Sequence, residues 1–130
     1  MNLLITGICG FVGSSIARTI LEHRSGDRIF GLDNFSREGA YPNKSVLEGL
    51  GIRVFTGDLR MASDVDGLPA VDWVIDAAAN PSVLAGVDGA TSSRQLVEHN
   101  LLSTVNLLEY CRRHGAGFQL ISTSRVYAVE

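Results

Sequence analysis

From Leu3 to Gly13 the chain reads Leu-Leu-Ile-Thr-Gly-Ile-Cys-Gly-Phe-Val-Gly: an apolar strand running straight into three glycines, Gly7, Gly10 and Gly13, with two residues between each and the next. Helical periodicity begins at once, near Phe11. This order limits the fold sharply. The first glycine suits a tight turn after a strand, the second a place where backbone must approach a pyrophosphate, and the third a helix packed close on a sheet. A helix starting at Phe11 directs its free amides and positive dipole end at such a phosphate.

Glycine spacing alone is weak evidence in a chain with 14 glycines among 130 residues, so the context matters. A second apolar run, Arg28 to Leu32, ends in Asp33, 20 positions after Gly13. An acid at the end of a second strand is placed to accept from adenosine ribose hydroxyls and to repel a 2′-phosphate. NAD is therefore favoured over NADP, with Arg37 the one neighbour that argues otherwise.

A chain of 130 residues falls in the usual range of about 50–200 for one domain, and 45% hydrophobic against 19% charged residues marks it as globular. The net charge of −3, without a basic run, argues against a nucleic-acid partner. No apolar run approaches the ~20 residues of a membrane span, and the first strand begins at residue 2 or 3, so a cytoplasmic location is expected. The two cysteines, Cys9 and Cys111, have neither metal-ligand spacing nor a disulfide framework. Cys9 has two readings: a thiol whose pKa the helix N-terminus lowers, or a small residue tolerated in the turn, which is the expected one.

Further along, Val12, Ile16, Ile20 and Leu21 give one apolar helix face, broken at Gly26 and Asp27. Asn34 to Pro42 reads as a loop, and Asn43 as the cap of a short helix from Lys44 to Leu50 that stops at Gly51. Residues 52–56 alternate as a third strand, followed by Asp58, which either accepts from an adenine amino group or caps a turn. Residues 61–70 suit a short helix and turn, and 71–76 a fourth strand. Ala77, Ala78 and Ala79 then follow, either flanking the cofactor's phosphates and nicotinamide side or opening a helix that Pro81 makes awkward. After an irregular stretch over 82–91, Ser92 and Gln95 form a capping box for a long helix through about His114. Leu96, Val97, Leu101, Leu102, Val105, Leu107, Leu108 and Cys111 cover more than one face of it, so it must bury a second side. Residues 118–122 are a fifth strand. Strands and helices in this alternation predict a Rossmann-type, doubly wound parallel sheet in the order 3-2-1-4-5, one α/β domain over residues 1–130.

Six segments in this order, Thr6-Gly7-x-x-Gly10-Phe11-Val12-Gly13-Ser14, Asp33-Asn34, Gly57-Asp58-Leu59-Arg60, the alanines at 77–79, Asn100-x-x-x-Thr104-x-Asn106-Leu107-Leu108 and Ser122-Thr123-Ser124-x-Val126-Tyr127, resemble the extended short-chain dehydrogenase/reductase family. Its NAD-dependent nucleotide-sugar epimerases and dehydratases are most similar. The loop from Asp33 to Ala40 and the later Ser-Arg-Val-Tyr resemble the CDP-paratose (CDP-tyvelose) epimerase branch, which favours a CDP-sugar.

The resemblance implies transient oxidation of a sugar carbon by NAD and return of the hydride. It implies a cofactor site built from Gly7, Gly10, Phe11, Val12 and Gly13 at the first turn, and Asp33, Asn34, Phe35, Ser36 and Arg37 after the second strand. Asp58 and Leu59 follow the third strand, and Ala77, Ala78, Ala79 and Asn80 the fourth. His99 and Asn100 on the long helix and Ser122 complete it. Thr123 matches the family's catalytic hydroxyl. The family's base, a Tyr with Lys four residues later, is missing: Tyr41 and Tyr110 lack that Lys, and Tyr127 belongs to the strand-end motif. The chain thus resembles the N-terminal, cofactor-holding part of such an enzyme, without turnover alone. The alternative is a free-standing, non-catalytic module that binds a nucleotide or a protein. The bare side of the long helix and the fifth strand's open edge predict a homo-oligomer.

Overall fold

The computed structural model describes residues 1–80 and 92–121. Five parallel strands, β1 (Asn2–Thr6), β2 (Arg28–Asp33), β3 (Arg53–Thr56), β4 (Trp73–Asp76) and β5 (Gly117–Leu120), form one sheet in the order β3-β2-β1-β4-β5. Between them lie α1 (Phe11–His23), α2 (Ala40–Gly49), α3 (Ala62–Asp66), α4 (Ser93–Leu96) and α5 (Ser103–His114). The strand order matches the expectation, and its cause is handedness. Right-handed crossovers carry the chain from β1 outward to β3, then back across β1 to β4, so the winding reverses between β1 and β4. Ligands of open α/β sheets bind at the carboxyl ends of the strands, beside such a reversal.

Alternation along the strands splits the core. Leu4, Leu32 and Val74 join Val65, Leu68, Leu107 and Tyr110 on the face that α3 and α5 cover. Leu3, Ile5 and Ile29 join Ile8, Ala17 and Leu47 on the face of α1 and α2. At about 25 cal/mol per Å² of apolar surface, these two clusters are the main stabilising contribution to the sheet. Register then aligns the functional edge, for Thr6 pairs with both Leu32 and Asp76, and Asp33 pairs with Thr56.

Several elements depart from expectation. Helix α2 begins at Ala40, behind Gly39 at φ +87°, so Asn43 lies inside the helix instead of capping it. Pro42 is tolerated because it falls in the first turn, where its missing N–H has no intrahelical acceptor. The amide of Asn43 instead donates to the Cys9 carbonyl at 2.8 Å. Val12 is 44% exposed and does not join the apolar face of α1, which buries Gly13, Ser14 and Ala17. The long helix is as expected at its ends: the Ser92 hydroxyl accepts the Gln95 N–H at 3.2 Å, and Gly115 closes it in the left-handed region at φ +66°. Its middle, Val97–Leu102, is π-helical, which periodicity did not indicate. The irregular stretch expected over 82–91 lies outside the described residues. Among the described residues no helix is long and apolar enough to cross a membrane.

Two features bear on stability. A Cβ on Gly13 would stand 2.4 Å from the Gly7 carbonyl oxygen and 2.7 Å from the Ile8 Cα, both backbone atoms. Gly13→Ala gains up to about 1 kcal/mol of helix propensity but costs more by overpacking. A net loss of about 2 kcal/mol is expected in denaturant unfolding, and an unchanged midpoint would show that α1 has room to shift. The second concerns Asp76, 2% exposed, whose carboxyl burial pushes above its usual range. A carboxyl raised in the folded state gives stability that is full below the unfolded value of ~3.9 and is lost as pH rises through the folded one. Asp76→Asn, which carries no charge, should therefore melt higher than the native chain at neutral pH, with the gap closing toward about pH 4. A gap that is absent at neutrality, or that widens in acid, contradicts this account.

Candidate functional site

Four strand ends meet at the β1/β4 reversal. Gly7 leaves β1 at φ +60°, a left-handed conformation that costs a side-chain-bearing residue roughly 1–2 kcal/mol. Its N–H donates to the Leu32 carbonyl at 2.9 Å, and its carbonyl accepts from Gly10 N–H at 3.0 Å. A Cβ there would lie 2.9 Å from the Ala77 oxygen and the Ala78 Cα. The turn therefore passes against the backbone that leaves β4, and only a glycine permits this approach. Gly10 is the N-cap of α1 and supplies no side-chain cap, and no acid lies in the first turn. The first closed turn is Ser14 N–H to the Gly10 carbonyl at 3.0 Å, which leaves the amides of Phe11, Val12 and Gly13 ahead of it for an anion. Phe11 is 86% exposed beside this turn.

Cys9 is buried within the turn. Burial, with the Asp33 charge adding to it, pushes its thiol up to about 11, so the helix N-terminus does not activate it and the small-residue reading holds.

Asp33 ends β2 partly buried and is held on both oxygens: Oδ2 accepts Cys9 N–H and Oδ1 accepts Phe35 N–H, each at 2.9 Å. Locking both oxygens with amides fixes the direction of the remaining lone pairs. The next residues wrap tightly. Asn34 Oδ1 accepts Ser36 N–H at 3.0 Å, and Phe35 sits at φ +54°, its ring stacked on Tyr41 at 4.7 Å between centroids with Lys44 Nζ 5.4 Å above it. A non-glycine residue in this region is uncommon, and here the hydrogen bond to Asp33 and the ring stack hold it. Arg37 is exposed in the same loop.

Asp58, two residues past β3, fills the turn role: Oδ1 accepts Arg60 N–H at 3.0 Å, and the Arg60 guanidinium forks both oxygens, 2.6 Å at the closest. The hydrogen bond from Arg60 holds its carboxyl below the usual range. The neighbouring Leu59 is buried, its carbonyl taken by Asn106 Nδ2 at 2.7 Å. His99, in the π-helical segment, also acts on the Asp58 charge, and its Nε2 is buried without a hydrogen-bond partner among the described residues.

Residues 77–80 are not helical, so the alanine run is backbone laid along the turn. Two asparagines of the long helix, Asn100 and Asn106, each bond a strand-end loop. Asn100 Oδ1 accepts Asn80 N–H at 2.9 Å while its amide faces the Asn80 carbonyl at 3.4 Å. The Thr104 hydroxyl donates to the Asn100 carbonyl at 2.9 Å and stands 3.5 Å from Asp76 Oδ2. A π-segment widens the turn at His99 and Asn100, where these contacts are made. Asp76 was not among the expected site residues. Its oxygen Oδ1 accepts the Thr6 hydroxyl at 2.6 Å and faces Ala78 N–H at 3.3 Å. The signal was present in the sequence, since Asp76, like Asp33, ends an apolar strand immediately before a loop.

The structure thus brings together the glycine turn, Asp33 with its loop, Asp58 with Leu59, residues 77–80, His99 and Asn100 at one edge of the sheet. Ser122 and Thr123, like Tyr127, lie outside the described residues. Neither remaining tyrosine suits a base: Tyr41 is a surface residue on Phe35, and Tyr110 is buried in the core, its phenol pushed up to about 12 by burial and bonded to the Pro69 carbonyl. Among the described residues no three His, Cys, Asp or Glu side chains are grouped to hold a metal. The arrangement can bind and orient a dinucleotide.

Comparison with known proteins agrees with this geometry. The chain is 35% identical over 133 residues to a CDP-paratose 2-epimerase of Salmonella typhi, covering 98% of this chain and 38% of that protein. Among solved structures it superposes on a UDP-Glc/GlcNAc 4-epimerase from Campylobacter jejuni with a TM-score of 0.85 at 25% identity, over 98% of this chain and 38% of that one. It also superposes on a UDP-glucuronic acid 4-epimerase from Bacillus cereus, in complex with UDP-glucuronic acid and NAD, with a TM-score of 0.83 at 27% identity, over 100% and 42% of the respective chains. The chain therefore spans about two fifths of the length of these relatives. The profile of the NAD dependent epimerase/dehydratase family matches residues 3–130, and the chain belongs to that family.

Proposed function

We propose that this chain is the NAD-binding part of a nucleotide-sugar epimerase or dehydratase, with a CDP-sugar the favoured substrate of the whole enzyme. The observation that carries the reading is the left-handed Gly7 turn lying against Ala77 and Ala78 beside an Asp33 whose two oxygens are fixed by backbone amides. In this reading the free amides at the start of α1 receive the pyrophosphate, and Gly10 gives it access to the backbone. Asp33 accepts from the adenosine ribose hydroxyls, and its charge opposes a 2′-phosphate more strongly than the exposed Arg37 attracts one. Asp58 and Leu59 border the adenine, Asn34 to Ser36 shape the wall beside Asp33, and residues 77–80 run along the phosphates toward the nicotinamide. NAD supplies the acceptor for a hydride from a sugar carbon. By the resemblance Ser122 belongs to the cofactor site and Thr123 matches the hydroxyl that hydrogen-bonds the reacting group, and the family's Tyr and Lys base is not in this sequence.

The long helix carries the second half of the proposal. Val97, Leu101, Val105 and Leu108 recur at spacings of four, four and three and are each 44–60% exposed, which makes an apolar stripe along one face. Such a stripe is the usual surface of association, and a homo-oligomer is the expected state.

Two measurements test this reading. Calorimetry with NAD should give saturable heat, weaker than a complete site would, and NADP should bind less well. Asp33→Ala should lower NAD affinity at least about tenfold, the scale of a charge-assisted hydrogen bond lost from a fixed acceptor. Absence of saturable heat at high NAD concentration contradicts the proposal. In sedimentation at micromolar concentration the chain should run as an oligomer, and Leu101→Glu with Leu108→Glu should return it to a monomer. A monomeric native chain would refute association through this stripe.

A further inference from the structure

Buried acids usually face a cation, and among the described residues Asp76 faces none. Its described neighbours are the Thr6 hydroxyl, the Ala78 N–H and the Thr104 hydroxyl, none of them charged. The fold alone does not call for a carboxylate at this position. Val74, on the same face of the same strand, is fully buried among Leu4, Leu107 and Tyr110, and an apolar residue at 76 would avoid the desolvation that the acid bears.

The carboxylate does, however, reach the backbone just beyond it. Ala77, Ala78 and Ala79 carry no side chain able to hold their loop in place. The Ala78 N–H is shared between Asp76 Oδ1 at 3.3 Å and Thr6 Oγ1 at 3.4 Å, and the same Thr6 hydroxyl donates to the same Oδ1 at 2.6 Å. One oxygen thus ties the end of β1, the end of β4 and the first residues of the loop into a closed triangle. Thr6 immediately precedes Gly7, and the peptide from Ala77 to Ala78 is the surface that the Gly7 turn meets. A loop shift of a few tenths of an ångström would open or close that contact, and nothing else described on β4 restrains it from the buried side.

We propose that Asp76 is a positioning residue of the dinucleotide site, which fixes the Ala77–Ala79 backbone against the Gly7 turn by gathering the Thr6 hydroxyl and the Ala78 N–H on one buried oxygen. This rests on the dinucleotide reading above. It predicts a division within the ligand. The adenosine end is held by Asp33 at the end of β2 and Asp58 just past β3, on the far side of β1, and does not depend on Asp76. The pyrophosphate and the nicotinamide half of the dinucleotide lie along the loop that Asp76 holds.

The test is titration of the 130-residue chain with NAD and, separately, with AMP. Asp76→Ala should weaken NAD about tenfold or more, the effect of removing the partner of two buried donors, and leave AMP affinity unchanged. Asp76→Asn, which retains an acceptor oxygen for both donors, should bind NAD within about threefold of the native chain. Thr6→Val should reproduce the loss, and combining it with Asp76→Ala should add little, because the two remove one shared arrangement. A merely structural role would lower NAD and AMP affinity together and in step with melting temperature. That result overturns the proposal, as does native NAD affinity in Asp76→Ala or full additivity with Thr6→Val. If Asp76→Ala does not keep the native far-ultraviolet spectrum, Thr6→Val decides alone through the same NAD and AMP comparison. A native chain that binds neither ligand overturns the dinucleotide reading itself, and the role of Asp76 with it; a native chain that binds both keeps the two conclusions separable.

Discussion

The contact on which the rest of the molecule depends is backbone against backbone, Gly7 on the peptide from Ala77 to Ala78. It closes the gap at the one place in the sheet where the winding reverses, and it is possible because neither side carries bulk. Gly13 permits the same close approach one turn later, letting α1 settle on Gly7 and Ile8. The carboxyl edge of β1 and β4 is thereby bordered by main chain of the Gly7 turn and of residues 77–78. Such a border offers an anion amide hydrogens at fixed distances, with no side-chain entropy to lose on binding.

Much of this was legible in the sequence, and for a physical reason. The glycine spacing, the acid ending the second strand and the alanine run are each local signatures of a backbone that must come close to something, and sterics leave few residue types that allow it. The strand order followed from the alternation of elements and the handedness of crossovers. Element ends were legible where a cap marked them, as at Ser92 and Gly115. The start of α2 was not, because Pro42 reads as a breaker in sequence although proline is harmless in a first helical turn.

The features that could not be read depended on partners far away in the chain. Asn100, Thr104 and Asn106 form a motif in sequence, but that Asn100 holds the loop after β4, Asn106 the loop after β3 and Thr104 approaches Asp76 appears only in the structure. The π-segment has no periodicity signal because it spans a single widened turn. Asp58 was open between an adenine acceptor, the reading its position favoured, and a turn residue. Arg60, two positions on, secures the turn role by bonding both carboxylate oxygens.

Three carboxylates stand at comparable points, just at or past the ends of β2, β3 and β4, and the chain turns them to three different uses through their neighbours. Asp33 is held by two backbone amides, one on each oxygen. Asp58 is neutralised by a forked guanidinium, so its charge serves to keep a loop in shape. Asp76 is given hydroxyl and amide donors but, among the described residues, no cation, and its desolvation is offset only in part. A residue that reduces the stability of the fold and is nevertheless enclosed in it must be held there by something other than stability. On the proposal that the loop it restrains borders the dinucleotide, the cost falls on the fold and the benefit on the site. Residue type and position along a strand therefore locate such groups, but the donors around them decide what each one does.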